Sequence, residues 1–426
     1  MGGTNARRVL VLFETDWDRR QFAACAPRWS DAFEIAYAEP NDCDCPASLD
    51  PIAFVAEVAR RERGRIAGVM SSSDYPGAPL AGALAAELGL PGARPERVIT
   101  AAHKYYSRIA QRAAAPDAVP DFALVDLRAC VPAPTLAFPC FVKPVKGSFS
   151  LLARRIEDPQ GFRDFVGSPA VREFGDGYMA IFNRLVAGYT DHPIDGRALI
   201  AEGVLRGDLV TVEGFACDGA IEVIGIVDST VHANGSFARF DYPSALPAHV
   251  QDRMSDVARR VIAELGLDQA LWNIEMMYDA RADRVSIIEV NPRICGQFAD
   301  LYQKVDGTNS YEIALALCTG TRPHFAPRRG RYAAAASFPL RVFEPSAVLA
   351  APDDADAAAA EALYPETLVW RECAKGEELA DFAGEDGASQ RYAVINLGGA
   401  GRADLGRRCR AVEKRLGFCF GPLRAR

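Results

Sequence analysis

Lysine is scarce in this chain of 426 residues. Lysine and arginine together number 48, but only six are lysine, so arginine carries nearly all of the positive charge. Acidic residues number 56, and the resulting net charge of −8 disfavours binding to duplex nucleic acid, because proteins of that class are usually basic. A lysine retained in such an arginine-rich background is a candidate for a specific role. The six lysines stand at positions 104, 143, 146, 304, 375 and 414.

Long apolar runs and paired cysteines are also missing. No run of about 18 apolar residues occurs, so no membrane span is predicted. The 11 cysteines form no C-x-x-C pair, which favours reduced thiols over a zinc or disulfide framework. The first residues lack the layout of a signal peptide, and we therefore expect a cytoplasmic protein. The sequence contains neither a P-loop nor the G-x-S-x-G motif of serine hydrolases. It therefore supports neither a P-loop nucleotide-binding protein nor a serine hydrolase.

The apolar pattern changes along the chain. Short buried strands are predicted at 8–13, 33–37 and 66–70, with helices at 51–63 and 78–88. This alternation predicts a parallel, doubly wound α/β unit. From about residue 135 the strands follow one another at hairpin spacing, and a helix with one apolar stripe is predicted at 248–265. The second part is therefore predicted to be α+β, and the Pro- and Arg-rich stretch 322–331 to link it to a further α+β region.

The strongest chemical signal is a predicted hairpin that carries Glu275, Glu289 and Asn291. Both glutamates lie seven residues from Ala282, so a turn centred there places them opposite each other. Residues two apart share a face of a strand, which adds Asn291 to the pair. Opposed carboxylates repel, and a hard cation such as Mg²⁺ would remove that cost. The alternative is a solvent-facing hairpin with ordinary charges, which the apolar residues around Glu289 disfavour.

A second signal is a strand that ends in lysine and runs into a loop of small residues. Lys143 ends the apolar strand, and Lys146, Ser148 and Ser150 lie in or beside the loop with Gly147. Such a loop turns backbone N–H groups toward phosphate oxygens. Taken alone, the segment favours a plain hairpin turn with a solvated lysine. Arg293, two residues after Asn291, adds a group suited to a carboxylate or a developing phosphoryl charge, with a structural salt bridge as the alternative.

Taken together and in this order, the segments resemble the ATP-grasp enzymes, specifically the carboxylate–amine ligases. The stretch 289–293 resembles the family's E-x-N-x-R segment, and 141–150 its nucleotide lysine and mobile glycine-rich loop. Lys104, at the start of a helix, is similar to the earlier lysine of the family. The stretch 199–205 resembles the strand and hinge that bind adenine. The resemblance covers residues 70–325, and Gly89-Leu-Pro-Gly92 is similar to the end of the domain that precedes ATP-grasp.

The resemblance implies a fold, a division into domains and a set of roles. The implied domains are a Rossmann-like domain at 1–100, ATP-grasp subdomain A at 101–200, subdomain B at 201–325 and a C-terminal α+β domain at 326–426. The implied metal ligands are Glu275, Glu289 and Asn291, for two Mg²⁺ ions or Mn²⁺ in their place. The implied ATP-binding residues are Lys104, Lys143, Glu202, Val204, Leu205 and Asp208. The implied catalytic residues are Arg293, Lys146, Ser148 and Ser150.

One position departs from the family pattern. An acidic residue often follows the hinge and holds the ribose hydroxyls, but Leu209 stands at that position. The neighbouring Asp208 is the candidate that replaces it. The other three lysines fall outside the matching segments, and we expect Lys304, Lys375 and Lys414 to lie on the solvated surface.

The activity implied by the resemblance is the joining of a carboxylate, expected to be an amino acid, to an amine through an acyl phosphate. Residues 227–243 resemble the L-amino-acid ligases that make dipeptides, which makes His232 a substrate candidate, with a surface-loop histidine as the alternative. Ser73 and Asp74, at the carboxyl end of a predicted strand, are further candidates. The expected partners are small-molecule substrates, and a homodimer is common among similar enzymes.

Other activities stay open at this point. A biotin-carboxylase-like enzyme and a purine-pathway ATP-grasp enzyme would share the same motifs, although no Met-Lys-Met of a biotin carrier occurs. A catalytically silent nucleotide-binding protein is a further alternative. The intact set of Glu275, Glu289, Asn291 and Arg293 disfavours it.

Overall fold

The computed structural model describes residues 6–38, 49–128, 136–147, 151–380, 382 and 388–423. The first unit alternates strands and helices as predicted. Its elements are β1 (Arg7–Leu12), α1 (Asp16–Trp29), β2 (Phe33–Ala38), α2 (Pro51–Glu62), β3 (Gly68–Met70), α3 (Gly77–Leu88) and α4 (Pro95–Ala102). The three strands form a parallel sheet in the order β2-β1-β3. The central strand β1 is apolar and buried on both faces, as a parallel strand covered by helices requires.

A second unit is built on an antiparallel sheet of four strands. Its elements are α5 (Lys104–Ala114), a 3₁₀ turn (Pro116–Ala118), β4 (Phe122–Asp126), β5 (Cys140–Pro144), β6 (Arg154–Ile156), α6 (Pro159–Val166), α7 (Pro169–Glu173), a π-helical turn (Phe174–Tyr178), α8 (Ala180–Tyr189) and β7 (Ala198–Gly203). The strand order is β4-β7-β5-β6. Strand β6, at the edge of this sheet, is only three residues long.

The third unit contains a long antiparallel sheet. Its elements are β8 (Asp208–Cys217), β9 (Ala220–Val231), β10 (Phe237–Tyr242), α9 (Ala248–Leu265), β11 (Ala270–Asp279), β12 (Arg284–Asn291), α10 (Ala299–Asp306) and α11 (Ser310–Cys318). The buried residues of α9 are those of the predicted stripe: Val250, Met254, Val257, Ala258, Val261, Ile262 and Leu265. This stripe packs on one face of β8 and β11, against Val212, Ile274 and Met276. The opposite face of these strands carries the polar residues Glu213 and Asn273 next to the buried apolar Phe215 and Leu271.

The C-terminal elements extend this sheet and form a further, separate sheet of three strands. They are β13 (Ala334–Val342), β14 (Ser346–Ala350), α12 (Asp354–Glu361), β15 (Leu368–Arg371), β16 (Glu378–Leu379), β17 (Gln390–Gly399), α13 (Arg402–Leu416) and β18 (Cys419–Gly421). The sheet runs β12-β11-β8-β9-β10-β13-β17-β15, and β10 pairs with β13 across the boundary expected at 325/326. Across the described part of the chain, no helix combines the length and apolar character needed to cross a membrane.

Candidate functional site

The predicted hairpin forms and pairs the two glutamates as predicted, but its register shifts by one residue between Glu275 and Met276, so the turn is not centred on Ala282. Glu275 of β11 lies opposite Glu289 of β12, and Asn273 lies opposite Asn291. The turn between the strands is closed by Asp279, whose Oδ1 accepts hydrogen bonds from the backbone N–H groups of residues 281 and 282. The predicted arrangement of the two glutamates and Asn291 on one strand face is therefore confirmed.

The same polar face extends onto strand β8. Asn273 lies opposite Glu213, and Glu275 lies opposite Thr211. Asn291 donates through Nδ2 to Oδ1 of Asn273 over 3.1 Å. Sequence reasoning did not select Asn273 or Glu213. Asn273 is two residues from Glu275 and Glu213 is two residues from Thr211, so each shares a strand face with its neighbour. That spacing alone does not show that β8 pairs with β11, because these paired residues are 60 or more positions apart in the chain.

The two opposed glutamates have different protonation properties. Burial, and then the nearby charge of Glu289, raises the pKa of Glu275 to about 7. Burial also opposes ionisation of Glu289, but Lys104 and Lys143 lower its pKa below the ordinary value. The ammonium Nζ of Lys104 lies 3.0 Å from Oε2 of Glu289. Without a further cation, one carboxylate of the pair is therefore stabilised as an anion and the other is not.

The donor set fits a hard divalent cation in part. The two glutamates supply carboxylate oxygens, and Asn291 keeps its side-chain oxygen after donating through Nδ2. Within the residues that the structure describes, no group of three or more His, Cys, Asp or Glu side chains is arranged to hold a metal ion. A cation at the Glu275–Glu289 pair would thus need the asparagine and ligand oxygens to complete its coordination, which is how Mg²⁺ is commonly held beside phosphates.

Lys143 belongs to a buried cluster of charges on the neighbouring sheet. Its Nζ lies 2.9 Å from Oε2 of Glu202, and Nε of Arg108 lies 2.6 Å from Oε1 of the same carboxylate. Both cations also donate to the carbonyl of Ile288, at 3.3 Å from Lys143 and 2.7 Å from Arg108. This carbonyl lies at an irregularity where β11 and β12 change register between Glu275 and Met276, and Ile288 has no partner across the ladder. The cluster thereby joins the second unit to the hairpin of the glutamates.

The electrostatics of this cluster explain why it holds its charges. Burial by itself would raise the pKa of Glu202, but Lys143 and Arg108 lower it to about 2. Burial lowers the pKa of Lys143, and Glu202 offsets part of that effect. Arg108 lies one helical turn after Lys104 in α5, and its pairing with Glu202 was not predicted.

Lys146 contacts the first unit of the chain. Its Nζ lies 2.6 Å from Oδ2 of Asp74, and Nε of Arg293 lies 3.5 Å from the other oxygen of that carboxylate. Burial favours the neutral acid, but Lys146 and Arg293 hold the pKa of Asp74 well below its usual range. Lys104 donates to the carbonyl of Gly147 over 3.2 Å. The structure therefore brings Asp74, Lys104, Lys146 and Arg293 to the edge of the glutamate pair. Ser148 and Ser150 lie outside the described residues.

The lysines separate by burial into a group of four and a group of two, and one lysine is not in the expected group. Lys143 and Lys146 are buried, and the side chain of Lys104 is 13% exposed. The expectation that Lys304 lies on the surface is wrong: it is buried and forms an ion pair with Asp300 one helical turn away. Its ammonium is matched by that carboxylate inside α10, a contact that composition does not reveal. Lys375 and Lys414 are exposed, as expected.

The residues expected at the hinge lie between the two sheets. Glu202 is near the end of β7, while Val204 and Leu205 lie in the half-buried connection to β8, which begins at the exposed Asp208. Gly207 has a φ of +127°, and a β-carbon there would lie 2.2 Å from the carbonyl oxygen of Tyr278. Only glycine fits this close approach. The roles of these residues in nucleotide binding stay predictions.

The substrate candidates are not all in one place. Ser73 lies next to Asp74, where its hydroxyl donates to the carbonyl of Tyr75. His232 lies at the β9–β10 turn, and its ring packs against Phe343 of the C-terminal region. Among the contacts of the described residues, none connects His232 to the charged cluster. Its proposed contact with substrate stays a prediction.

A comparison with known families identifies the central segment. Residues 136–300 match the sequence model of the ATP-grasp domain. The chain contains an ATP-grasp domain. This match includes Lys143, Lys146, Glu202, the glutamate pair and Arg293, so it covers most of the charged cluster described above.

Curated relatives match a shorter part of this chain. The carbamoyl phosphate synthase large chain of Pseudomonas aeruginosa is 29% identical over 109 residues, which are 24% of this chain and 10% of that protein. The same protein of Pseudomonas syringae is 30% identical over an equally long stretch, again 10% of its length. The match thus spans about a tenth of these relatives and supports a shared domain.

Solved structures match over nearly the whole chain. An L-amino acid ligase from Bacillus licheniformis has a TM-score of 0.75 at 15% identity, covering 98% of this chain and all of that one. The biotin carboxylase domain of a 2-oxoglutarate carboxylase from Hydrogenobacter thermophilus, solved with MgADP and bicarbonate, has a TM-score of 0.65 at 14% identity, covering 97% and 90%. At these identities the likeness concerns the fold, and it confirms the ATP-grasp fold expected from the sequence.

Proposed function

We propose that this chain is an ATP- and Mg²⁺-dependent ligase that activates a carboxylate as an acyl phosphate and couples it to an amine. The observation that carries the proposal is the convergence of Lys104, Lys143, Lys146 and Arg293 on the opposed pair Glu275 and Glu289. Buried cations beside hard oxygen ligands suit a nucleotide triphosphate and its metal ion. We further propose amino acids as substrates and a dipeptide as product, an assignment supported by the fold likeness to an L-amino acid ligase.

The reaction joins two molecules with atoms in balance. An oxygen of the substrate carboxylate attacks the γ-phosphorus of ATP, and the bond from that phosphorus to the bridging oxygen of ADP breaks. The amine nitrogen then attacks the acyl carbon, inorganic phosphate leaves, and the nitrogen loses a proton. The products are an amide, ADP, phosphate and a proton.

Some side chains of the site would bind the phosphates and the metal ion, and others would stabilise the charge of the reacting group. Lys104 and Lys143 lie where they would neutralise phosphate oxygens, and Arg293 where it would bind the reacting carboxylate or the phosphoryl group in flight. Glu275, Glu289 and Asn291 would hold Mg²⁺, which supplies positive charge to the phosphates when bound. The buried setting of these groups excludes water, to which an acyl phosphate is sensitive.

The test is ADP release that depends on amino acids. Purified protein with ATP and Mg²⁺ should release ADP when given the right pair of amino acids, and mass spectrometry of pooled reactions should identify the product. Glu289→Gln should lower this activity by at least about 100-fold, because it removes a metal ligand and the counter-charge of Lys104. Glu264→Gln, on the exposed face of α9, is the matched control and should retain activity.

The outcomes separate the proposal from its alternatives. If no amino acid, singly or in pairs, gives ADP or phosphate, the amino-acid ligase assignment is refuted. Release of ADP with bicarbonate alone would indicate a biotin-carboxylase-like activity. Nucleotide binding without turnover on any carboxylate would indicate a silent nucleotide-binding protein.

A further inference from the structure

A small cavity lies beside Arg293, between the first unit and the ATP-grasp domain. It has a volume of about 80 Å³. Its apolar walls come from β3, α3, α11 and the residue after Arg293, and they include Val69, Met70, Ala78, Ala81, Ile294 and Leu317. The residues with longer polar side chains in its lining are Ser71, Gln269 and Arg293. The cavity thus combines an apolar interior with a guanidinium of the proposed active site.

The three polar side chains differ in the hydrogen-bond donors that they have not already used. The hydroxyl of Ser71 donates to the carbonyl of Leu12, and the amide of Gln269 donates to Asp218. Nε of Arg293 is buried and makes no hydrogen bond within the described structure. Its contact with Oδ1 of Asp74, at 3.5 Å, is an ion pair without hydrogen-bond geometry. The guanidinium therefore retains donor capacity at the edge of the cavity.

Asp74 lies next to Arg293 and adds a negative charge there, although it does not itself line the cavity. Its Oδ2 is bonded to Lys146, and its Oδ1 is the oxygen on the Arg293 side. A carboxylate oxygen accepts more than one hydrogen bond, so Asp74 can receive an ammonium group while it keeps Lys146. In an α-amino acid the carboxylate and the ammonium are attached to the same carbon. A substrate carboxylate bound by Arg293 would place its own ammonium group within reach of Asp74.

We propose that this site selects a zwitterionic α-amino acid with a small aliphatic side chain as the carboxylate that is activated. Arg293 binds its carboxylate, Asp74 binds its ammonium group, and the cavity receives its side chain. The assignment rests on the proposed ligase function and adds the substrate class and two specificity determinants, Asp74 and the alanines of α3 that line the cavity.

The volume of the cavity limits the side chain. An engineered apolar cavity of about 150 Å³ accepts benzene, and this cavity has about half of that volume. It therefore accommodates an aliphatic group such as that of alanine or valine, but not an aromatic ring. Ala78 and Ala81 keep the space open, since each presents only a methyl group to it. A larger residue at either position would reduce the room for a substrate.

The experiment compares side chains and tests the ammonium group separately. Wild-type protein is assayed for ADP release with alanine, valine, phenylalanine and isovalerate as carboxylates, with one fixed amine acceptor. Ala81→Leu fills the cavity and should raise KM for valine by at least about 10-fold more than KM for alanine. Asp74→Asn should lower kcat/KM for valine by about 10- to 100-fold more than kcat/KM for isovalerate, because isovalerate has no ammonium group.

Two controls keep the result specific. Ala86→Leu makes the same change on the exposed side of α3 and should alter no preference. Ala78→Val tests the cavity independently if Ala81→Leu fails to fold. Calorimetric titration of valine in the presence of a non-hydrolysable ATP analogue gives a readout that does not need turnover, and Ala81→Leu should weaken this binding.

The inference is overturned if wild-type protein prefers phenylalanine or a charged amino acid, or if filling the cavity leaves the side-chain preference unchanged. It is also overturned if Asp74→Asn weakens valine and isovalerate equally, because that would make Asp74 a structural partner of Lys146. If wild-type protein releases no ADP with any carboxylate, the proposed function fails, and the calorimetric comparison still decides whether valine occupies the cavity.

Discussion

Replacing Glu202 with glutamine would leave two buried cations without their counter-charge. The side chain of Glu202 is only 5% exposed, and it pairs with Lys143 at 2.9 Å and Arg108 at 2.6 Å. Glutamine keeps the size and an acceptor oxygen but loses the charge. We expect Glu202→Gln to destabilise the folded protein, because removing one partner of a buried ion pair leaves the desolvation of the other uncompensated.

The magnitude follows from the protonation of this carboxyl. Its pKa falls from the ordinary value of 4.5 to about 2 in the folded protein. At about 1.4 kcal/mol for each pH unit, ionised Glu202 contributes about 3 kcal/mol to folding stability at neutral pH. Burial lowers the pKa of Lys143, so that cation carries a cost of its own. The net contribution of the whole cluster is therefore smaller than the loss expected when Glu202 alone is changed.

The pH dependence gives the prediction its sign. A carboxyl with a lowered pKa stabilises the folded state above its unfolded pKa, and this contribution is lost as pH falls through the folded pKa. The difference between wild type and Glu202→Gln should thus be about 3 kcal/mol at pH 7 and fall to about 1.4 kcal/mol near pH 3. Urea unfolding followed by tryptophan fluorescence over this range would measure it.

A matched control distinguishes this effect from the loss of any carboxylate. Asp126→Asn removes the partner of Arg128, a pair whose side chains are 25% and 40% exposed, and should cost less than about 1 kcal/mol. Equal unfolding midpoints for wild type and Glu202→Gln at pH 7, or a difference that stays constant down to pH 3, would refute the reasoning.

Three further changes test other parts of the structure. Lys143→Arg should lower kcat/KM for ATP by at least about 10-fold. A planar guanidinium cannot take the place of a compact ammonium that contacts both Glu202 and the carbonyl of Ile288. An unchanged kcat/KM for ATP in this variant would contradict the prediction. Burial raises the pKa of Glu213 from 4.5 to about 8. Between these pH values the carboxyl ionises in the unfolded protein but not in the folded one, so wild type loses folding stability as pH rises. Glu213→Gln should therefore gain stability relative to wild type by up to about 1.4 kcal/mol per pH unit. Parallel pH profiles of urea unfolding would show that Glu213 is ionised without cost. Met254→Ala in the buried face of α9 should cost about 2–5 kcal/mol in urea unfolding, against little change for the exposed Arg259→Ala.

The spacing of residues along the chain was sufficient to predict several elements of the fold. The apolar stripe of α9 predicted its buried face, and the symmetric spacing of Glu275 and Glu289 about Ala282 predicted their register. Both features depend on residues close together in the chain, where helix and strand geometry fix which side chains share a face. The same reasoning could not find Arg108 as a partner of Glu202, since those residues are 94 positions apart.

The sequence by itself determined the α/β order of the first unit, the acidic hairpin and the segments that resemble ATP-grasp enzymes. Tertiary structure decided the charge pairing. It brought Asp74 to Lys146 across 72 positions. It also buried Lys304, together with its helical neighbour Asp300, although composition had suggested a surface residue. The physical reason is that the charge state of a buried group depends on neighbours that folding brings together from distant segments, whereas strand and helix patterns depend on neighbours along the chain.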